Sequence, residues 1–363
     1  MKEIPVILFG AGGVGQALLQ LIVNGRSRVA ERNQCRFNIV AIIDSKTWVW
    51  QPEGLTDAQL HDIIAAKKHH LPVDPAWRQE KLRDQKRPSD TEILEIAHQA
   101  GLKQAIVVDV TAANGMEPVI DQALELGYGV ALANKKPLAG PWQTAQKYFN
   151  HPLIRHESTV GGGQPVIATL RYLLDVNDPI LEIEGQLSGT LGYICARLDE
   201  GVPFSQAVAA AKALGYTEPD PRDDLGGKDV MRKIMILGRM AGWPLEETDI
   251  EVESLYPSAL AHLSVTEFMA ATIALDPPMR ERVETAVSQG NVLRYIAHLE
   301  KGHGKVGLQP IPAQSPLANL KYISFRTACY NDEPLLIGGK GAGVEMTAAG
   351  VLGDMIDLVR ETR

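Results

Sequence analysis

Three features of the amino-acid sequence predict an α/β fold in two parts, a parallel-sheet unit followed by an α+β unit. Over the first 140 residues, short apolar runs alternate with helical segments, as in a parallel sheet covered on both faces. A glycine turn, Gly10-Ala11-Gly12-Gly13-Val14-Gly15, follows the first apolar run and opens a helical stretch. From His151 onward the strict alternation stops, and helical and strand runs mix.

In chain order, Pro5 to Phe9 reads as a strand and Val14 to Val23 as a helix. Asn38 to Ile43, rich in β-branched residues, reads as a strand ending at Asp44. Trp48 to Pro88 interrupts the rhythm. It is polar and basic, and the pattern predicts a surface excursion holding one helix, Asp57 to Lys68. Its paired histidines, His69 and His70, have no metal-ligand spacing around them and read as a solvated loop. Thr91 to Ala100 is helical, Ala105 to Thr111 a strand, Glu117 to Leu126 helical and Gly129 to Ala133 a strand. In the second part, Pro165 to Asp175, Phe204 to Leu214 and Lys228 to Gly242 read as helices, and Ile180 to Leu187 and Ile323 to Tyr330 as strands. A last helix, Gly343 to Val359, carries Leu352, Met355, Ile356 and Val359 at helical spacing. The resulting expectation is a nucleotide-binding domain over 1–150, a substrate-binding and dimerisation domain over 151–335, and a segment over 336–363 that returns to the first domain.

Composition narrows the function. The chain has 363 residues, 45% of them apolar, enough for a sizeable core. Its net charge of −8 argues against nucleic acid as a partner. No run approaches the roughly 18 apolar residues that span a bilayer, so no membrane partner is expected. The start, Met1-Lys2-Glu3 and a short glycine-broken apolar run, lacks the features of a signal peptide. Cys35, Cys195 and Cys329 are odd in number and far apart, which suits a reducing compartment. A cytoplasmic location is expected.

The glycine turn fits G-x-G-x-x-G in its required strand-to-helix context. Gly10 allows the tight turn, Gly12 the approach of a pyrophosphate, and Gly15 close helix–strand packing, with Gly13 and Val14 between them. Free N–H groups and the helix dipole favour the anion. This predicts a Rossmann-type domain that binds NADP or NAD. Asp44 ends the second strand, where an acid bonds ribose hydroxyls, although it lies 29 residues after Gly15, beyond the usual gap. Lys46 offers a charge for a 2′-phosphate instead, so the choice of cofactor stays open. Thr111 ends the third parallel strand, where it contacts the cofactor or caps the next helix.

Three later segments are more specific. They are Glu157-Ser158-Thr159-Val160-Gly161-Gly162-Gly163-Gln164-Pro165, Leu187-Ser188-Gly189-Thr190-Leu191-Gly192-Tyr193-Ile194, and the acid-rich run from Gly215-Tyr216-Thr217-Glu218 through Asp224 to Asp229-Val230-Met231-Arg232-Lys233. In the last, Asp229 and Lys233 are neighbours at i, i+4, lying off the edge of an apolar stripe of Val230, Ile234, Leu237 and Ala241. Spacing alone allows either a surface ion pair or a lysine lining a cleft. With Ala133-Asn134-Lys135-Lys136 and the tail Gly341-Ala342-Gly343-Val344-Glu345-Met346-Thr347-Ala348-Ala349-Gly350, the set resembles the homoserine dehydrogenase family from residue 5 to near the C-terminus, in its short monofunctional form.

The resemblance implies NAD(P)-dependent interconversion of L-aspartate 4-semialdehyde and L-homoserine, in threonine, methionine and isoleucine biosynthesis, by a homodimer. It implies that Lys233 donates a proton to the substrate carbonyl, with Asp229 beside it, and that Lys135 contacts cofactor and substrate. Glu218 would take the substrate ammonium, Asp224 and Asp229 its polar end or a water, and Gly189 and Thr190 its carboxylate. Gly343 would lie near the nucleotide. It places sodium at Glu157 and the carbonyls of Val160, Gly162 and Gln164. Two positions depart from the family pattern: Gly162-Gly163-Gln164 is richer in glycine and more polar than usual, and Lys340 stands where the family more often has a small residue or proline before Gly341. Another Rossmann oxidoreductase needs only the glycine turn and leaves the acid-rich run unexplained. A non-catalytic NAD(P) sensor is disfavoured by the presence of both Lys135 and Lys233.

Overall fold

In the computed structural model, which describes residues 1–73 and 87–361, the chain divides into two units. The first holds the described residues up to Pro165 together with those from Ala342 onward; the second is Val166–Gly341.

In the first unit β1 (Lys2–Phe9), α1 (Gly13–Asn33), β2 (Cys35–Ile43), β3 (Trp48–Trp50), α2 (Asp57–Lys68), α3 (Asp90–Gln99), β4 (Ile106–Asp109), α4 (Glu117–Glu125), β5 (Gly129–Leu132), α5 (Lys136–Ala139), α6 (Trp142–Phe149) and β6 (Ile154–Arg155) follow one another. The sheet order is β3-β2-β1-β4-β5-β6. All pairings are parallel except β2 with β3. Val6, Ile7 and Leu8 of β1 and Ile106, Val107 and Val108 of β4 are buried, as continuous apolar strands between helical layers must be. The strand order reverses between β1 and β4, which is where such sheets bind ligands.

Two expectations change here. α1 runs to Asn33, well past Val23. Asn24-Gly25-Arg26 blurs the apolar period, but Arg26 is tied to Asp57 at 2.8 and 2.6 Å and to the Phe37 carbonyl at 2.9 Å. Those contacts bridge distant segments and leave no local signal. The stretch from Trp48 to Lys68 is no surface excursion: β3 pairs with β2, and Leu60, Ile63 and Ile64 of α2 join Val49 and Leu55 in the core. A capping box at Thr56 and Gln59 starts α2. His69 and His70 are exposed at its end. The part of that stretch from 74 to 86 lies outside the described residues.

The second unit contains α7 (Val166–Asp175), β7 (Ile180–Gly185), α8 (Gly189–Asp199), α9 (Phe204–Ala213), α10 (Arg222–Leu225), α11 (Lys228–Met240), β8 (Ile250–Val252), α12 (Val265–Ala271), α13 (Asp276–Ser288), β9 (Asn291–Glu300), β10 (His303–Pro312), β11 (Tyr322–Thr327) and β12 (Leu335–Gly338). Its sheet, β12-β11-β7-β9-β10-β8, is antiparallel except where β8 meets β10. The β9–β10 hairpin turns at Lys301 (φ 47°) and Gly302 (φ 83°), two successive left-handed residues as a type I′ turn demands. Leu293, Tyr295, Ala297 and Leu299 of β9 face inward, and α8, α11 and α13 pack on this strand. α11 lies so close that a Cβ on Gly238 would sit 2.4 Å from Leu299.

α14 (Val344–Glu361) belongs to the first unit and packs on α1. Its Met355 and Val359 enter the core, with Leu352 and Ile356 packed against it.

Candidate active site

The glycine turn has the geometry a dinucleotide requires. Gly10 has φ 106°, and its N–H is held by the Ile43 carbonyl at 2.9 Å. A Cβ on Gly15 would lie 2.0 Å from the Gly10 carbonyl oxygen, so glycine is obligatory there for packing. A Cβ on Gly12 would meet nothing within 4 Å, which leaves the backbone at the start of α1 open to a pyrophosphate. A Cβ on Gly13 would face Val344 at 3.4 Å, so the turn and the residues after Gly343 (φ 120°) are neighbours.

Asp44 follows β2 as expected, but its carboxylate is engaged. It pairs with the Lys67 ammonium and accepts from the Ser45 hydroxyl at 3.0 Å; its backbone carbonyl accepts from Arg87 Nε at 2.9 Å. Burial pushes the Asp44 carboxyl up, yet Lys67 and Ser45 outweigh it and hold the group below the usual carboxylate range. Lys46 is exposed. Lys67 and Arg87 were invisible from spacing, because their proximity to Asp44 arises from how α2 and the approach to α3 return to the end of β2.

Beyond β4, Thr111 is not a helix cap: α4 begins at Glu117. Its hydroxyl donates to the Asp109 carboxylate at 2.7 Å. Lys135 precedes α5 at the end of β5, with its carbonyl accepting from the Leu138 and Ala139 amides at 3.1 and 2.9 Å. Farther on, Glu157, Val160, Gly162 and Gln164 lie in two adjoining 3₁₀ turns against α14. The Glu157 amide donates to Asp354 at 2.9 Å, and the Ser158 hydroxyl to the Thr347 carbonyl at 2.8 Å. Gly163 explains the extra glycine of this turn: at φ 116°, its Cβ would lie 2.1 Å from the Met346 carbonyl oxygen.

In the second unit Lys233, at the edge of the buried α11 stripe, places Nζ 2.7 Å from Asp229 and 2.8 Å from the Leu187 carbonyl. Leu187 precedes Ser188, which caps α8 by accepting from the Leu191 amide at 3.1 Å. Lys233, Asp229 and the first residues of α8, Gly189 and Thr190, therefore converge. Thr190 turns inward: its hydroxyl lies 2.6 Å from the Tyr216 carbonyl and 2.9 Å from Asp224. The other Asp224 oxygen accepts from the Glu218 amide at 2.8 Å. Burial is the main cause of a raised Asp224 pKa, opposed by these hydrogen bonds. Asp224 and Thr190 thus hold the loop that presents Glu218, whose residue is exposed.

Arg222, not singled out from the sequence, braces this run. It grips Asp220 with two nitrogens and donates to the carbonyls of Ala261 and Leu263 at 2.8 and 2.7 Å. Gly227 starts α11 at φ 70°, where a Cβ would strike Tyr295 Oη at 2.1 Å. Among the described residues, the one cluster of three potential metal-ligating side chains is Glu182, His298 and Glu300. It lies on the sheet of the second unit, and Glu182 there is already paired with His298 and Arg326.

A glycine turn at the switch point of a parallel sheet, joined in sequence to an α+β unit, defines a two-domain protein with a Rossmann-type dinucleotide-binding fold. The family model described as homoserine dehydrogenase matches residues 165–356, and that described as homoserine dehydrogenase, NAD binding domain, matches residues 10–150. The homoserine dehydrogenase of Saccharomyces cerevisiae is 33% identical over 376 residues, covering 99% of each chain. A bifunctional aspartokinase/homoserine dehydrogenase of Haemophilus influenzae is 34% identical over 98% of this chain, which spans 43% of that protein's length. A solved Candida auris protein described as of unknown function has a TM-score of 0.85 at 31% identity, covering 99% of both chains. The chain belongs to the homoserine dehydrogenase family.

Proposed function

We propose that this chain interconverts L-aspartate 4-semialdehyde and L-homoserine with NAD(P), and that Lys233 is the proton donor in the reducing direction. The observation that carries this reading is the seating of Lys233 Nζ between Asp229 and the Leu187 carbonyl at the head of α8. Two acceptors orient the ammonium without consuming its third N–H. That N–H is left to protonate the oxygen of the aldehyde as it becomes an alkoxide. The bound nicotinamide supplies the hydride. Free backbone N–H groups at Gly189 and Thr190 suit the substrate carboxylate, and Glu218 suits its ammonium. Lys135, in the nucleotide-binding unit, is the second lysine that this reading assigns to turnover.

The test follows NADPH absorbance with the semialdehyde. Lys233→Ala lowers kcat by about 10²–10⁴, the range for removing a general acid, and leaves cofactor binding intact. Glu218→Gln in the same assay raises the substrate KM with little change for the cofactor. A Lys233→Ala enzyme turning over within a few-fold of the parent rejects the assignment.

Three finer points belong to the same reading. Because Lys67 neutralises Asp44, the acid at the end of β2 does not repel a 2′-phosphate as a bare carboxylate would, and both NADP and NAD serve. Glu157 with the carbonyls of Val160, Gly162 and Gln164 forms a donor set of one carboxylate and neutral oxygens, suited to sodium. The chain acts as a homodimer through the second unit. There the sheet face opposite the packed helices carries Glu182, Glu184, His298, Ser324, Arg326 and Leu336, and Leu336 is 47% exposed.

A further inference from the structure

The last residue of β4 and the turn before α5 supply a buried polar pair that the reaction chemistry above does not use. Asp109 is 1% exposed and Asn134 is 2% exposed. One Asp109 oxygen accepts from the Thr111 amide at 2.9 Å and the Thr111 hydroxyl at 2.7 Å; the other accepts from Asn134 Nδ2 at 3.0 Å. Asn134 Nδ2 also donates to the Ala113 carbonyl at 3.0 Å, and Asn134 Oδ1 accepts from the Lys136 amide at 3.1 Å. Lys136 Nζ reaches back to the Ala112 carbonyl at 2.5 Å. Lys135 therefore lies between two residues, each anchored to the loop after β4.

The donor pattern specifies this pair. Three donors face Asp109, so the group at that position must be an acceptor on both oxygens, which an ionised carboxylate is and an amide is not. Burial raises the Asp109 pKa, and the bonds from Thr111 and Asn134 oppose that rise. Asn134 must be a donor toward Asp109 and Ala113 and an acceptor toward Lys136; an amide meets all three demands, and no carboxylate or aliphatic side chain does. Such a network is costly to bury unless every member is satisfied, and it then holds one arrangement.

We propose that Asp109 and Asn134 are a positioning pair that holds Lys135 and the loop at Thr111–Ala113 in their working arrangement. The pair touches neither substrate nor cofactor in this role; it acts through the backbone on either side of Lys135. The inference rests on the reading that Lys135 takes part in turnover. Displacement of a reacting group by an ångström lowers rates by about 10²-fold, so the pair matters to kcat more than to ligand affinity.

The experiment is a double-mutant cycle in the full-length enzyme with Lys135→Ala, Asn134→Ala and the combination, measuring kcat, the NADPH Kd by fluorescence quenching, and Tm. Asn134→Ala is expected to lower kcat by about 10–100-fold with less than a threefold change in NADPH Kd. In the Lys135→Ala background it is expected to add less than a threefold further loss, because the group it positions is gone. A general structural role would multiply the two losses instead. Should Asn134→Ala fail to fold, Asp109→Asn, which keeps the shape and sets an amide against a donor, is read in the same cycle. Lys135→Ala with turnover near the parent's rejects the role of Lys135 itself. Loss on Lys135→Ala, but none on the pair, or full multiplication of the losses, overturns the positioning pair alone.

Discussion

At the scale of single residues, a charge near a nucleotide counts only with its partners. Asp44 alone would disfavour NADP, and Lys46 alone would favour it. Lys67 and Asp44 form a contact whose side chains are 16% and 13% exposed, so solvent screens it less than a rim lysine such as Lys46. Lys67→Met leaves the Asp44 carboxylate uncompensated and is expected to move the NADPH-to-NADH ratio of kcat/KM toward NADH by about tenfold, about 1.4 kcal/mol. Lys46→Ala should lower NADPH efficiency by only a few-fold and leave NADH nearly unchanged. Steady-state kinetics with both cofactors decide it: equal losses for the two cofactors in Lys67→Met would show that the pair does not read the 2′-phosphate. The glycine turn and an acid at the end of β2 were legible in the sequence, since strand ends and G-x-G-x-x-G are local patterns. Lys67 was not, since nothing in a helical lysine marks the strand end to which it reaches.

At the scale of elements, the turns from Glu157 to Gly163 show how a short irregular segment is held in place. A Cβ on Gly350 would lie 2.4 Å from Ser158 Oγ and 2.7 Å from Gly163 Cα, so α14 approaches the turns to backbone contact. The close approach makes glycine necessary on both sides and explains why the tail and this turn each carry it. If Glu157 and the neighbouring carbonyls bind sodium, replacing sodium chloride by choline chloride at equal ionic strength should lower Tm by a few degrees, since a ligand of the folded state stabilises it by mass action. Glu157→Gln should abolish the difference between the salts. Identical melting of the parent enzyme in both salts would count against an ion there. The hairpin of β9 and β10 escaped the sequence analysis for a different reason. Pro310 and Pro312 break the strand pattern of β10, and the two-residue turn at Lys301-Gly302 is weaker as a signal than Asn-Gly or Asp-Gly.

At the scale of the whole molecule, the open sheet face of the second unit sets the assembly prediction. Glu182 meets His298 at 3.0 Å and pairs with Arg326, while Leu336 stands exposed in the adjoining row. Light scattering coupled to gel filtration is expected to give twice the 39.5 kDa chain mass, and Leu336→Glu to shift the population toward monomer. A parent enzyme that runs as a monomer at micromolar concentration would refute the dimer. By itself the sequence determined the alternation of β1, β2, β4 and β5 with their helices, the dinucleotide turn, the buried stripe of α11 and the i, i+4 placement of Asp229 beside Lys233. These are set by periods of two and 3.6 residues and by φ angles open to glycine, all read within one element. Only the tertiary structure decided that α2 completes the nucleotide-binding core, that Lys67 answers Asp44, that Asp109 holds Asn134, and that Asp354 receives the Glu157 amide. Those partners lie 23, 25 and 197 positions apart in the last three cases. Strand order and helix packing bring them together, and no local periodicity encodes which distant side chain will arrive.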